Sequence, residues 1–129
     1  MDLAAFDRFC ASLPATQMVV QWGGAHVWKV GGKVFAIASL WGPDRPDGSH
    51  KVSFKCSEIG REVLRDRPGV VPAPYLARGG WMQVQEADAM DDGELQGFIE
   101  ASHAMIAAKL PRAKRAELGL GGSSGAERA

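Results

Sequence analysis

The sequence predicts an α+β fold in two layers, an antiparallel sheet with its helices on one face. Three observations predict it. Segments with two-residue and 3.6-residue hydrophobic periods interleave in the order α-β-β-β-β-α-β-α. A Gly31-Gly32 pair separates two β-rich runs and marks a tight hairpin, which makes its strands antiparallel. Asp or Ser stands before each apolar helical stripe as an N-cap.

Asp2 caps the first predicted helix, with Leu3, Phe6, Phe9 and Cys10 at helical spacing, and Pro14 ends it. Met18 to Trp22 reads as a short strand closed by Gly23-Gly24. In the hairpin, a two-residue turn sets Val30 opposite Lys33, Trp28 opposite Phe35 and His26 opposite Ile37 on the expected core face. Lys29 then faces Val34, and Val27 faces Ala36, on the other side. Leu40 to Ser49, rich in Gly, Pro and Asp, is predicted to be a loop.

His50 to Cys56 alternates, with Val52, Phe54 and Cys56 on one side and Lys51, Ser53 and Lys55 on the other. Ser57 caps a second helix whose predicted inward stripe is Ile59, Val63 and Leu64, with Arg61 and Arg65 elsewhere. Pro68-Gly69 ends it, and residues 70–80 read as an ordered loop. Trp81 to Gln85 is the last predicted strand. Asp91 or Asp92 caps a third helix with the stripe Leu95, Phe98, Ile99, Ser102, Met105 and Ile106, and Pro111 follows its end. No repeat or linker divides residues 1–118, which are read as one domain. Residues 119–129, poor in large apolar groups, are expected to be a disordered tail. With this architecture, one sheet face is expected to stay open.

Hydrophobic residues make up 46% and charged residues 23%, as in ordinary globular domains. No run of about 18 apolar residues exists to span a bilayer. The acidic start Met1-Asp2-Leu3 is unlike a secretory leader, so a cytoplasmic location is expected. The zero net charge hides segregation. Residues 51–80 hold six basic and three acidic side chains, whereas residues 81–108 hold six acidic and no basic ones. A balanced chain is not a general polyanion binder, but a local basic patch is compatible with it.

No common active site assembles. His26, His50 and His103 lack zinc-ligand spacing, and Cys10 and Cys56 form no Cys-x-x-Cys pair and read as small buried hydrophobes. Gly31-Gly32 lies between strands, with no following helix to hold a phosphate. Asp91-Asp92 is a helix cap before it is a cation site. No catalytic residue, metal or cofactor is assigned, and a non-enzymatic role is expected.

Short pieces in order carry a resemblance. They are Phe9-Cys10 with Leu13-Pro14; Trp28-Lys29-Val30-Gly31-Gly32-Lys33-Val34-Phe35; Val52-Ser53-Phe54-Lys55-Cys56; Gly69-Val70-Val71-Pro72-Ala73; Tyr75-Leu76; Trp81; Ser102-His103; and Leu110-Pro111. Over about residues 1–115 the chain resembles the MmcQ/YjbR family of small bacterial proteins. It departs from that family at Ser102-His103, usually Ser-Tyr, and at Ala77-Arg78-Gly79-Gly80-Trp81, often Asn-Lys-x-His-Trp. The resemblance implies a two-layer fold like that of bacterial secretion chaperones, and DNA binding through a double-wing arrangement of strands and loops.

Two roles follow as expectations. In the first, Lys29, Lys33, Lys51, Lys55, Arg61 and Arg78, with Trp81 beside them, form a basic sheet face that contacts DNA phosphates weakly and salt-sensitively, and small Val34 and Ala36 let a backbone approach. In the alternative, the chain is a protein-interaction or chaperone-like module whose open face or edge strand docks a protein partner or a second copy of the chain. No membrane partner is expected.

Overall fold

A computed structural model describes residues 1–39, 51–74, 76–86 and 88–120. The predicted loop at Leu40–Ser49, His50, Tyr75 and the tail from residue 121 lie outside the described residues. The elements are α1 (Leu3–Ser12), β1 (Thr16–Gln21), β2 (Ala25–Val30), β3 (Lys33–Ser39), β4 (Lys51–Lys55), α2 (Glu58–Leu64), β5 (Val70–Pro72), a 3-10 turn (Ala77–Gly79), β6 (Trp81–Val84), α3 (Asp92–Ala108) and α4 (Arg112–Glu117). All strand pairs are antiparallel in one six-stranded sheet ordered β1-β2-β3-β4-β6-β5. The α+β class and the helix-bearing face agree with the sequence. Two elements are additional: β5, inside the predicted loop, and α4, beyond Pro111.

Each predicted cap forms. Asp2 accepts from the Ala5 N–H at 2.8 Å, Ser57 from the Gly60 N–H at 3.0 Å and Asp91 from the Glu94 N–H at 2.7 Å. These bonds satisfy N–H groups that have no partner within the helix.

The main core lies between the sheet and the helices. Phe6 and Cys10 of α1, Leu64 of α2, and Leu95 and Ile99 of α3 meet Trp28, Val30, Ala36, Ala38, Val52, Phe54, Met82 and Val84. Phe54 stacks on Phe98 with ring centroids 5.3 Å apart.

The hairpin turn is as expected: Gly31 and Gly32 have φ of +58° and +84°, which only glycine adopts freely in succession. The register is not. Val30 faces Lys33 and Lys29 faces Val34, but a bulge follows, and Trp28 faces Ala36, Val27 faces Ile37 and His26 faces Ala38. The extra residue in β3 lets both Phe35 and Ala36 enter the helix-side core, while Ile37 turns to the far face.

Two further expectations are corrected. The far face is not open. Ala25, Val27, Ile37, Ala73 and Trp81 form a second buried cluster there, and the chain after β5 lies over this face, where Pro74 and Leu76 wall a cavity with Ala25, Ile37, Ser53 and Gln83. In α2 the stripe is inverted, with Ile59 78% and Val63 57% exposed, while Gly60, Arg61 and Leu64 turn inward. Gly60 faces α3, where a Cβ would lie 3.4 Å from the Phe98 ring. Beyond α4, the Leu120 N–H donates to the Arg115 carbonyl and Leu120 packs on the core.

Candidate functional site

Strand alternation puts Lys29, Lys51 and Lys55 on the sheet face away from the helices, as the sequence predicts. They do not form one surface. Lys51 and Lys55 occupy opposite ends of β4, about 13 Å apart along the strand. Between them the face is filled by buried Ile37, Ser53 and Gln83.

Trp81 is 8% exposed within the second cluster, so its ring is not available to stack on a base. Ala36 is fully buried against the helices, and Val34 is half-buried against the second cluster, so neither offers the close approach expected of them.

The cations gather instead at the end of the sheet that carries the Gly31-Gly32 turn. Lys55, the last residue of β4, donates from Nζ to the Gly79 carbonyl at 2.6 Å, beside Arg78 in the 3-10 turn. Arg61 reaches back from α2 and donates from Nη1 to the Cys56 carbonyl at 3.1 Å. Lys109, at the end of α3, brings a second ammonium against Lys55. Leu110 and Leu118, on either side of α4, seat the following chain on Gly31, where a Cβ would lie 2.6 Å from the Leu110 methyl. Lys29 and Lys33 flank that same turn, so α4, with Arg112, Lys114 and Arg115, adjoins them.

Electrostatics follow from this crowding. Partial burial, then the neighbouring Lys109 ammonium and Arg61 guanidinium, pull Lys55 below its ordinary pKa. Among the described residues, no carboxylate pairs with Lys55, Arg61 or Lys109. Asp91, Asp92 and Glu94 lie at the far end of α3, at the helix N-terminus, where Glu94 binds Arg67 through two bonds of 2.9 Å; on α4, Glu117 pairs with Lys114 at 3.9 Å.

Lys109 is the member of the cluster that sequence reasoning missed. Its approach to Lys55 depends on where α3 stops, and the stop at Lys109-Leu110-Pro111 was the available signal.

The remaining reactive groups are engaged in packing. His26 Nδ1 donates to Asp7 Oδ2, and Trp28 Nε1 donates to Asp7 Oδ1, both at 2.8 Å. His103 Nε2 donates to the Pro14 carbonyl at 2.8 Å, its ring edge-on to Phe35. Both cysteines are free and buried. Burial pushes the Cys56 thiol up to about 11 and Cys10 higher still, aided there by Asp7. No group of three or more metal-ligating side chains occurs among the described residues, nor any helix long and apolar enough to cross a membrane.

Architecture and geometry define a small α+β domain with a six-stranded antiparallel sheet, helices on one face and a cationic end. The model of one family, YjbR, matches residues 11–105, and the chain belongs to that family. No curated protein matches it. Among solved structures, a Deinococcus radiodurans protein with a DUF419 domain is similar at 23% identity over 95% of each chain, with a TM-score of 0.78. A Pseudomonas syringae protein is similar at 17% identity, covering 81% of this chain and 98% of its own, with a TM-score of 0.64. Both show the fold.

Proposed function

We propose that this domain is a non-enzymatic, sequence-indifferent DNA-binding module that grips phosphates at its cationic end. The carrying observation is the packing of Lys55 against Lys109 and Arg61 with no carboxylate beside them among the described residues. Like charges held together at a surface are relieved by an anion, and a phosphodiester supplies one per nucleotide. Lys33 and Lys29 at the hairpin turn, with Arg78 in the 3-10 turn, extend the footprint to a span of several phosphates. No base-reading pair of side chains stands out in it, which supports backbone contact without sequence readout. The use of both described histidines and both thiols in packing supports a non-catalytic role.

Fluorescence anisotropy on labelled duplex and single-stranded DNA tests the reading. Three to five phosphate contacts correspond to an affinity loss of about 40- to 500-fold between 50 and 200 mM salt. The Lys55→Glu/Lys109→Glu variant should abolish binding, and Lys51→Glu should change it little. Absence of binding at low salt, or indifference to the double reversal, would overturn the proposal.

A second reading has its own observation: Ile59 and Val63, one turn apart on α2, form an exposed apolar pair. Such a pair suits contact with a second copy of the chain. Light scattering on wild type and Ile59→Asp/Val63→Asp decides it; a concentration-independent monomer in both excludes self-association.

A further inference from the structure

The far face of the sheet holds a cavity of about 200 Å³, at the end opposite the cationic cluster. Trp22, Ile37 and Leu76 give it apolar walls, and Ser39, Ser53 and Gln83 give it a polar floor. None of its described lining residues is ionisable. We propose that it binds an uncharged aromatic carbonyl compound of about the size of benzamide.

Size sets the first limit. A dry cavity of about 150 Å³ takes one benzene ring, so this one has room for a ring and a small substituent.

The floor sets the second. Ser53 and Gln83 are cross-strand partners on β4 and β6, and the three floor side chains are nearly buried. Gln83 Nε2 donates to Ser53 Oγ at 3.2 Å, and Gln83 Oε1 accepts from Gln85 Nε2 at 3.1 Å. Ser53 therefore keeps its hydroxyl proton, and Gln83 keeps one amide proton, to direct at an acceptor. Two donors under an apolar slot suit a carbonyl oxygen on a flat ring. A carboxylate would enter without a cation among the described lining residues.

The backbone supplies an independent observation. Trp22 sits at φ +50°, followed by Gly23 at +76° and Gly24 at +103° in the β1–β2 turn. A bulky side chain in the left-handed region is strained, and Asn or Gly is the ordinary occupant of such a turn. The strain places a half-exposed indole on the cavity wall.

The test is a ¹H–¹⁵N NMR titration with benzamide, and with benzoate as the charged analogue, with fold integrity read from the same spectra. Saturable shifts should centre on the amides of Trp22, Ile37, Ser39, Ser53 and Gln83. Leu76→Trp, which fills the rim from an exposed position, should abolish them. Ser53→Ala should weaken benzamide about fivefold, as for one hydrogen bond. Trp22→Gly should raise the melting temperature by about a few degrees while weakening binding. Failure to saturate by about 10 mM, persistence of the shifts in Leu76→Trp, or benzoate binding as tightly as benzamide would overturn the proposal.

Discussion

Ser102 holds the β3 bulge from across the core: its hydroxyl donates to the Phe35 carbonyl at 2.6 Å and accepts the Lys55 N–H at 3.0 Å. Phe35 is the residue that the hairpin register skips, and its carbonyl and the Lys55 N–H stand where the next rung of the β3–β4 ladder would fall, with the Ser102 hydroxyl between them. One fully buried hydroxyl on α3 thereby satisfies a main-chain group from each of two adjacent strands. Ser102→Ala removes both bonds and strands both groups in the core. A loss of about 2–4 kcal/mol is expected by urea unfolding, with a smaller loss for Ser102→Thr.

That bond also explains what was legible in the sequence. The caps Asp2, Ser57 and Asp91 and the Gly31-Gly32 turn are local, each decided within a few residues, and all were readable. The bulge depends on a hydroxyl 67 positions away, so periodicity alone gave a register wrong by one step from Trp28 onward. The same distance problem hid Lys109 from the cationic cluster. β5 was missed because three residues ending in Pro72 carry little pattern, and the hydrogen bond from the Gln85 N–H to the Gly69 carbonyl that extends its pairing is tertiary. Which lysines face away from the helices was readable. How the segment after Pro72 covers that face, separating Lys51 from Lys55, was not.

Crowding of Lys55 should be reversible. In Lys109→Met the neighbouring like charge is gone, so the Lys55 value rises toward the ordinary lysine value. Nζ or Cε chemical shifts across an alkaline titration measure it. An unchanged value would mean that the two ammonium groups do not interact in solution.

The thiols should be inert while the protein is folded. With Cys56 near 11, only about a thousandth is thiolate at pH 8, and Cys10 is higher still. An aromatic disulfide reagent should label neither cysteine on the timescale at which it labels both in denaturant. Rapid labelling of one equivalent in the native state would place a cysteine at the surface.

Acid stability should depend on Glu94. Its bidentate bond to Arg67, then the guanidinium charge, hold its folded pKa below the usual carboxylate value of about 4.3. A depressed carboxylate pKa contributes stability that is present above the unfolded value and is lost as pH falls through the folded one. Wild type should therefore exceed Glu94→Gln in stability at pH 7, and the difference should shrink steadily below about pH 4.3. Denaturant midpoints at pH 7, 5, 4 and 3 check it; a constant difference would show that the pair contributes nothing through Glu94 ionisation.

α2 separates two apolar side chains that look alike in sequence. Ile59 is 78% exposed, whereas Leu64, five residues on, is fully buried among α1, α3 and the sheet. Ile59→Lys should shift stability by no more than about 0.5 kcal/mol, since it removes no core contact and leaves the Ser57 cap intact. Leu64→Ala should cost about 2–5 kcal/mol through lost burial and the cavity left behind. Equal losses in thermal unfolding would mean that the helix is rotated, with Ile59 inward, and would also remove the exposed pair on which self-association depends.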